Sequence, residues 1–432
     1  MQSIWQKEIS LPTFPPLEGD TSTDVLIIGG GIAGILLAYR LQSAGIPYLL
    51  LERGRICQGT TGHTTAKITV HPGIVYADLL ERTGSETARL YYRANLAAFR
   101  EYASLCRLID CDYTTEDSYL YSRRDRRLLE RELRALERIG CEASLRDELA
   151  LPLSTVGGIC VEKQAHFHPL KFLAAIAHGL NIREQTHVTH VERNLALTER
   201  GNVKASRIVV TTHFPFLGLR GGYPLKMYQH RSYVLALRGA EAPSGMYADE
   251  NKKGFSFRTA GELLLLGGGG HRTGKQGGGY TALRELAAQH YPNAEEICHW
   301  AAQDCISLDG LPYVGQYARS TPTLYTATGF NKWGMVGAML ASRLLLSAVT
   351  GDEEPASSPL SPRRSMLTAR LLSHVGETAL NLLRPTAPRC PHLGCALHWN
   401  AAEHSWDCAC HGSRFSESGK LLDSPANKHM KR

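Results

Sequence analysis

The chain has 432 residues, with 48 Lys and Arg against 41 Asp and Glu, 43% apolar residues, 11 Cys and 41 Gly. At ~100–200 residues per domain this length holds two or three domains with ample core, and the apolar content excludes a disordered chain. A net charge of +7 is too small for this length to mark a nucleic-acid partner.

Met1–Pro16 lacks the basic start and apolar run of a secretory signal, so a cytoplasmic location is the default expectation. Asp24–Ile28 reads as a strand, Gly29-Gly30-Gly31 as a turn, Ile32–Leu41 as a helix and Tyr48–Leu51 as a second strand ending at Glu52. Ser85–Leu108 reads as a long helix. Ser122–Ile139 is another, and its seven Arg alternate with acids around Leu128, Leu129, Leu133 and Leu136, as on a solvated amphipathic face. His168–His178 opens on Pro169 and reads as a helix, and Arg207–Thr211 and Leu324–Ala327 read as buried strands. Leu263–Leu266 is a further strand. Gly267–Gly270 after it reads as a turn or close-approach loop, because His271-Arg272-Thr273-Gly274-Lys275 does not start a helix.

Gly334–Val349 reads as a buried helix. The near-apolar run Met335–Val349 is broken by Ser342 and Arg343 and falls short of the ~20 residues of a membrane span, so no transmembrane segment is expected. The Pro- and Ser-rich residues 351–365 read as a linker. Met366–Leu383 reads as an amphipathic docking helix with Leu367, Leu371, Val375, Ala379 and Leu382 on one face. The expected organisation is an α/β body over 1–350, the linker, the helix, and a small module over 384–432.

Gly29-x-Gly31-x-x-Gly34 follows a strand and opens a helix. Its glycines permit a tight turn, backbone approach to a pyrophosphate and close helix–strand packing, while the helix N-terminus favours negative charge. Glu52, eighteen residues past Gly34, stands where a carboxylate accepts ribose hydroxyls. The pattern alone does not separate FAD from NAD. FAD is favoured by the site's place near the N-terminus of a long chain, by the small hydroxyl residues of Gly59–Lys67, and by Ala327–Met335 leading into a helix. That helix aims its positive end at whatever precedes it, with Lys332 adding charge.

Residues 24–67, 166–173, 207–215 and 308–345 resemble FAD-dependent oxidoreductases of the D-amino-acid oxidase and glycine oxidase superfamily. Phe167–Leu170, Thr212–Pro215, Asp309–Tyr313 and Gly329–Met335 look especially like the subgroup with a C-terminal Rieske module. The resemblance implies an α/β fold, with a discontinuous FAD-binding Rossmann-like domain and an inserted α+β substrate domain, plus a small all-β iron–sulfur module. The FAD-binding parts would lie at about 20–80, 156–215 and 307–350, and the substrate domain at about 81–155 and 216–306. Motif and resemblance together give the cofactor-binding residues as Gly29, Gly31, Ala33, Gly34, Glu52, Arg53, Thr60, Thr61, Thr65, Ala66, Lys67, Val188, Thr212, Gly329, Trp333, Gly334 and Met335. The resemblance also implies hydride transfer to flavin from an amine or amino-acid-like small molecule. Candidate substrate-side residues are His168, Arg231, Tyr233, Arg258, His271 and Tyr313, with Arg258, His271 and Tyr313 as the catalytic choices. An Arg such as Arg258 can hold a carboxylate bidentately. His63 and His166 read as structural.

Seven cysteines are scattered, but Cys390, Cys395, Cys408 and Cys410 crowd together with His392 and His411. Cys390-x-His392 and Cys408-x-x-His411 suit a Rieske 2Fe–2S centre, two Cys on one iron and two His on the other. Two Cys and two His also make a zinc site, which leaves the two further Cys, Gly394 and Gly412 unexplained. The boxes resemble Rieske proteins of the cytochrome bc-complex type. That resemblance implies Cys390, His392, Cys408 and His411 as cluster ligands, and a disulfide between Cys395 and Cys410. It also places Ser413 where a hydroxyl donates to a sulfide, and Phe415 where high-potential members carry a second hydroxyl. A potential below the top of the ~−150 to +300 mV range follows. Only Arg384–Arg389 separate the helix from Cys390, so the shortened module is expected to lean on the body or on a partner. One chain carrying both groups suits substrate oxidation at flavin with one-electron transfer to or from the cluster, and an external electron acceptor or donor protein. The alternative is a redox sensor, or a reductase whose cluster feeds the flavin without amine oxidation.

Overall fold

The computed structural model describes residues 2–352, 354–365, 369–384 and 388–430. Thr21–Ile28, apolar and fully buried over its last four residues, pairs in parallel with Tyr48–Leu51 on one side and Gly201–Val210 on the other. Around them an eight-stranded sheet runs in the order Tyr313–Gln316, Leu324–Thr328, Gly201–Val210, Thr21–Ile28, Tyr48–Leu51 and Ile182–Arg183, with the hairpin Val188–Glu192 and Leu195–Thr198 alongside. The helices Ile32–Ser43 and Gly334–Thr350, apolar nearly all round, pack on each other against it. This domain is discontinuous in the chain, drawn from three separate stretches.

A second, nine-stranded sheet is ordered Glu295–Ser307, Met227–Arg238, Leu263–Arg272, Ser256–Ala260, Met246–Asp249, Thr114–Tyr121, Gly158–His166 and Lys67–Ile68, with Ser144–Arg146 at the side. Gly158–His166, expected in the FAD-binding part, belongs here because it pairs antiparallel with Thr114–Tyr121. The glycine run 267–270 continues the strand Leu263–Arg272 rather than turning. Close approach is its reason: a Cβ on Gly270 would lie 2.6 Å from both His230 and the Lys252 carbonyl. The long helix begins at Tyr76, nine residues before its expected start, and bends at Gly84. Its start depends on the Glu132 carboxylate, which accepts from the N–H groups of Val75, Tyr76 and Ala77 at 2.9–3.1 Å.

The expected linker is a strap fastened to the body. Pro355–Leu360 forms a 3-10 turn with Ala356 and Leu360 buried. Beyond it Arg364 pairs with Asp309 at 2.6 Å, donates to the Leu311 and Pro312 carbonyls, and lies 3.8 Å from the Tyr313 ring centroid. The tail helix follows as Ala369–Leu383; Leu367 lies outside the described residues. Leu371 packs on the body as expected, but most of the docking is by the polar side. Val375 and Leu382, expected to pack inward, are exposed, while His374 and Asn381 are buried. The polar side wins because the ground it meets is polar: Arg272, Lys275, His398 and the Pro224 carbonyl.

The C-terminal module is a four-stranded antiparallel sheet, Leu397–Asn400, Ser405–Cys408, Arg414–Ser416 and Leu421–Asp423, paired in chain order. Its own buried apolar cluster is four cysteines with Leu397, Phe415 and Ala426. Two full-size apolar side chains at ~1.5–3 kcal/mol each are a thin core, so the module gains stability from what it leans on.

Candidate active site and cluster loops

At the end of Thr21–Ile28, Gly29 takes φ 114°, and a Cβ there would lie 2.8 Å from the Thr211 carbonyl oxygen. A Cβ on Gly34 would fall 2.0 Å from the Gly29 oxygen, so only glycine lets helix and turn pack here. The Ile32 N–H is taken by Thr61 Oγ1 at 3.1 Å. Glu52 accepts from the Gly30 and Gly54 N–H groups at 2.7 and 2.8 Å, which fixes its carboxylate at the strand end. Burial raises its pKa and the two N–H donors oppose the rise.

From this cradle a cavity of about 1420 Å³ runs between the two sheets. Gly29, Gly31, Ala33, Glu52, Arg53, Thr60, Thr61, Thr65, Lys67, Val188, Thr212, Trp333, Gly334 and Met335 line it. Gly34, Ala66 and Gly329 stand behind the wall. At the far end the helix Gly334–Thr350 starts without a side-chain cap. Before it, Asn331 and Lys332 adopt φ 52° and 73°, a strained turn held by Asn331 bonds to Ser307 and the Gly329 carbonyl. Lys332 donates to Ser232 Oγ at 3.0 Å, and burial lowers its pKa to about 8. His230 is held neutral, its pKa lowered to about 2 by burial and then by Lys332 and Lys252, and its Nδ1 has no hydrogen-bond partner among the described residues. Removal from water raises the Asp304 pKa on the neighbouring strand. An elongated cavity ending in helix N–H groups and a lysine suits a dinucleotide whose far ring gains negative charge on reduction.

None of the six substrate-side candidates lines this cavity. Arg258 is buried and spends its guanidinium on the Thr65, Ala66 and Thr259 carbonyls, which shapes the loop rather than the substrate site. Tyr313 lies beneath Arg364 and edge-on to Tyr223. His168 caps its helix by accepting from the Lys171 N–H at 3.1 Å. His166 sits 3.2 Å from Glu116, and His63 lies in the cavity wall. Arg231, Tyr233 and His271 form a polar seam with the C-terminal module: Arg231 makes a bidentate pair with Glu403, and the Tyr233 hydroxyl lies 3.0 Å from His271 Nε2 and 3.5 Å from Glu403. These choices are one residue out of register. On Met227–Arg238, Tyr228, His230 and Ser232 face the cavity, whereas Arg231 and Tyr233 face the module, as strand alternation requires. The alternation was readable; which face meets the cavity is set by distant packing.

The cluster loops press against the same sheet. Gln229 Nε2 donates to the His411 carbonyl at 2.8 Å and to that of Ser424 at 3.0 Å. Gln303 Nε2 donates to the Gly412 carbonyl at 2.9 Å, and the Gln303 carbonyl accepts from Thr60 in the cavity wall. Arg272 donates to the carbonyls of Ala409 and Cys410. Glycine permits this fit: a Cβ on Gly412 would lie 2.5 Å from Gln229 Cβ, and one on Gly274 would lie 2.3 Å from the Ala409 nitrogen. Leu422, Asp423, Ser424 and Asn427 complete the cavity wall.

Inside the loops, both ring nitrogens of His392 and of His411 are buried without hydrogen-bond partners among the described residues, and the rings lie 5.1 Å apart. Burial holds both imidazoles neutral, the form that ligates metal. With the buried Cys390 and Cys408 thiols this donor set fits a Rieske 2Fe–2S cluster. Ser413 is buried and accepts from the Ala426 N–H, and Phe415 sits in the module core. Cys395 and Cys410, the expected bridge, are brought together in the module: their sulfurs and that of Cys408 lie within 4.8 Å of one another. No helix among the described residues is long and apolar enough to cross a membrane.

Residues 24–348 match the family model of FAD dependent oxidoreductases, and residues 376–432 match that of the Rieske [2Fe-2S] domain. The chain is 31% identical to the putative Rieske 2Fe-2S iron-sulfur protein YhfW of Bacillus subtilis, over 100% of this chain and 97% of the relative. The cluster segment is 49% identical over 41 residues to cytochrome b6-f complex iron-sulfur subunit 1 of Nostoc, covering 10% of this chain and 23% of that subunit. Among solved structures, glycine oxidase from Geobacillus kaustophilus superposes with a TM-score of 0.67 at 20% identity, over 80% of this chain and 99% of that one.

Proposed function

The chain belongs to the FAD-dependent oxidoreductases and carries a C-terminal Rieske domain, and from that premise we propose that it oxidises an amine or amino-acid-like molecule and exchanges electrons with its own iron–sulfur cluster. FAD is the cofactor of the body and a 2Fe–2S cluster that of the module. When bound, FAD accepts the two electrons of a hydride and the cluster carries one electron at a time.

The observation that carries the reading is the shared sheet. Tyr228, His230 and Ser232 face the cavity, and the strand between them sends Gln229 to the backbone of His411. Gln229 also lines the cavity, so one side chain links the substrate face to the backbone of a candidate cluster ligand. On the cavity side the open N–H groups of Gly334–Thr350 and the Lys332 ammonium favour negative charge. Neutral His230 with the Tyr228 and Ser232 hydroxyls orients an amine-bearing substrate against them, and Leu422–Ser424 of the module complete the wall. Arg53, Glu52 and the Thr60–Thr61 turn hold the nucleotide end.

Anaerobic mixing of the purified protein with a panel of amines and amino acids tests this. The flavin absorbance is expected to fall with at least one of them, and the Rieske EPR signal to rise in the same sample. A flavin that no amine bleaches, or one that bleaches while the cluster stays oxidised, defeats the reading.

A further inference from the structure

The tail helix Ala369–Leu383 is amphipathic in the inverted sense. Facing the protein, His374 accepts from Arg272 at 3.1 Å and donates to the Pro224 carbonyl at 2.9 Å, Glu377 pairs with Lys275, and Asn381 meets His398. Facing outward, Leu372, Leu380 and Leu383 are 77%, 70% and 78% exposed, with Val375 and Leu382 beside them at 41% and 43%. These five are half of the ten large apolar side chains exposed among the described residues. At 100° per residue they form one arc, opposite the buried His374 and Asn381.

The charge around the arc has one sign. Residues 363–389 hold Arg363, Arg364, Arg370, Arg384 and Arg389 against a single acid, Glu377, which Lys275 already neutralises. Arg364 is committed to Asp309, while Arg363, Arg384 and Arg389 stand exposed at the two ends of the helix. A second copy of the chain laid on this face would bring arginines against arginines. A convex ridge of leucines also presents no groove for a partner helix or loop. A lipid surface with anionic headgroups meets both features, taking the leucines below the headgroups and the arginines at the phosphates.

We propose that this helix is a monotopic anchor that seats the protein on an anionic membrane surface. Arg389 donates to the Leu382 and Gly394 carbonyls, so the Cys390–Cys395 loop is carried beside the anchored face. The proposal is independent of the substrate.

The experiment is co-sedimentation of the holoprotein with vesicles of phosphatidylcholine alone and of phosphatidylcholine mixed with phosphatidylglycerol. Binding is expected to the mixed vesicles, weakening as salt is raised. The exposed double variant Leu380→Glu/Leu383→Glu is expected to lose ~10-fold or more in affinity, with flavin and cluster absorbance unchanged. If that variant fails to keep its cofactors, Leu372→Gln is expected to weaken binding by a smaller factor in a protein with the wild-type spectrum. The proposal is overturned if the wild type stays in the supernatant with mixed vesicles, if the variants bind as well as wild type, or if the wild type is a dimer in solution that the double variant dissolves.

Discussion

The candidate nucleotide cradle is gathered from residues as far apart as Gly29 and Met335, whereas the four candidate cluster ligands all fall between Cys390 and His411. The first site rests on backbone approaching backbone, with Gly34 tolerated only because it has no Cβ. The second rests on side-chain donors, and the scaffold around them is thin: its buried apolar set is mostly the cysteines themselves. A site made of close approaches fails by added bulk, and a site made of donors fails by lost ligands. The two meet at one strand, where Gln229 and Arg231 hold the module and His230 faces the cavity.

The sharpest way to break that contrast is to remove each site and ask what survives. Cys408→Ser is expected to abolish iron content and the Rieske EPR signal while FAD content stays at the wild-type level. FAD lost in parallel would mean that the cradle depends on the loaded module. Gly34→Val is expected to lower FAD occupancy ~10-fold or more, read by flavin absorbance, because its Cβ would meet the Gly29 oxygen at 2.0 Å; iron content should persist. The seam between the sites comes next. Arg231 and Glu403 are nearly buried, with side chains 5% and 9% exposed, and Arg231→Met leaves the Glu403 carboxylate to Arg414, 3.0 Å away. A loss of about 1.5–3 kcal/mol in denaturant unfolding is expected, the size of a charged hydrogen bond, partly restored in Arg231→Met/Glu403→Met.

The smallest effect belongs to the strap. Burial alone would raise the Asp309 pKa, but the Arg364 guanidinium outweighs it and holds the carboxyl below its usual value. A depressed folded pKa stabilises above the unfolded value of ~3.9 and ceases to do so as pH falls through the folded one. Asp309→Asn should therefore cost about 2 kcal/mol at neutral pH, with the gap to wild type closing in strongly acidic buffer. A gap that is constant with pH would show that packing, not charge, holds the strap.

Both cofactor sites were legible because their signals are local: a strand, three glycines and an acid in one case, two short boxes in the other. What escaped depends on neighbours far away in the chain. The start of the long helix at Tyr76 needs Glu132. Arg231 and Tyr233 share a strand with His230 and Ser232, and alternation gives two faces while only tertiary packing says which meets the cavity. Arg258 looked like a carboxylate clamp until its acceptors proved to be main-chain carbonyls. The tail helix has a clear apolar stripe, and nothing within 369–383 states that Arg272 and Lys275 await its other side.

Arg364 also sets how far the start of the tail helix can travel. It is riveted to Asp309 and lies five residues before Ala369, a leash that at ~3.6 Å per residue reaches no more than ~18 Å. The module beyond it is seated on the body by Gln229, Gln303 and Arg272. On the proposed electron exchange, a donor or acceptor therefore docks at a seated terminal, not with a swinging arm.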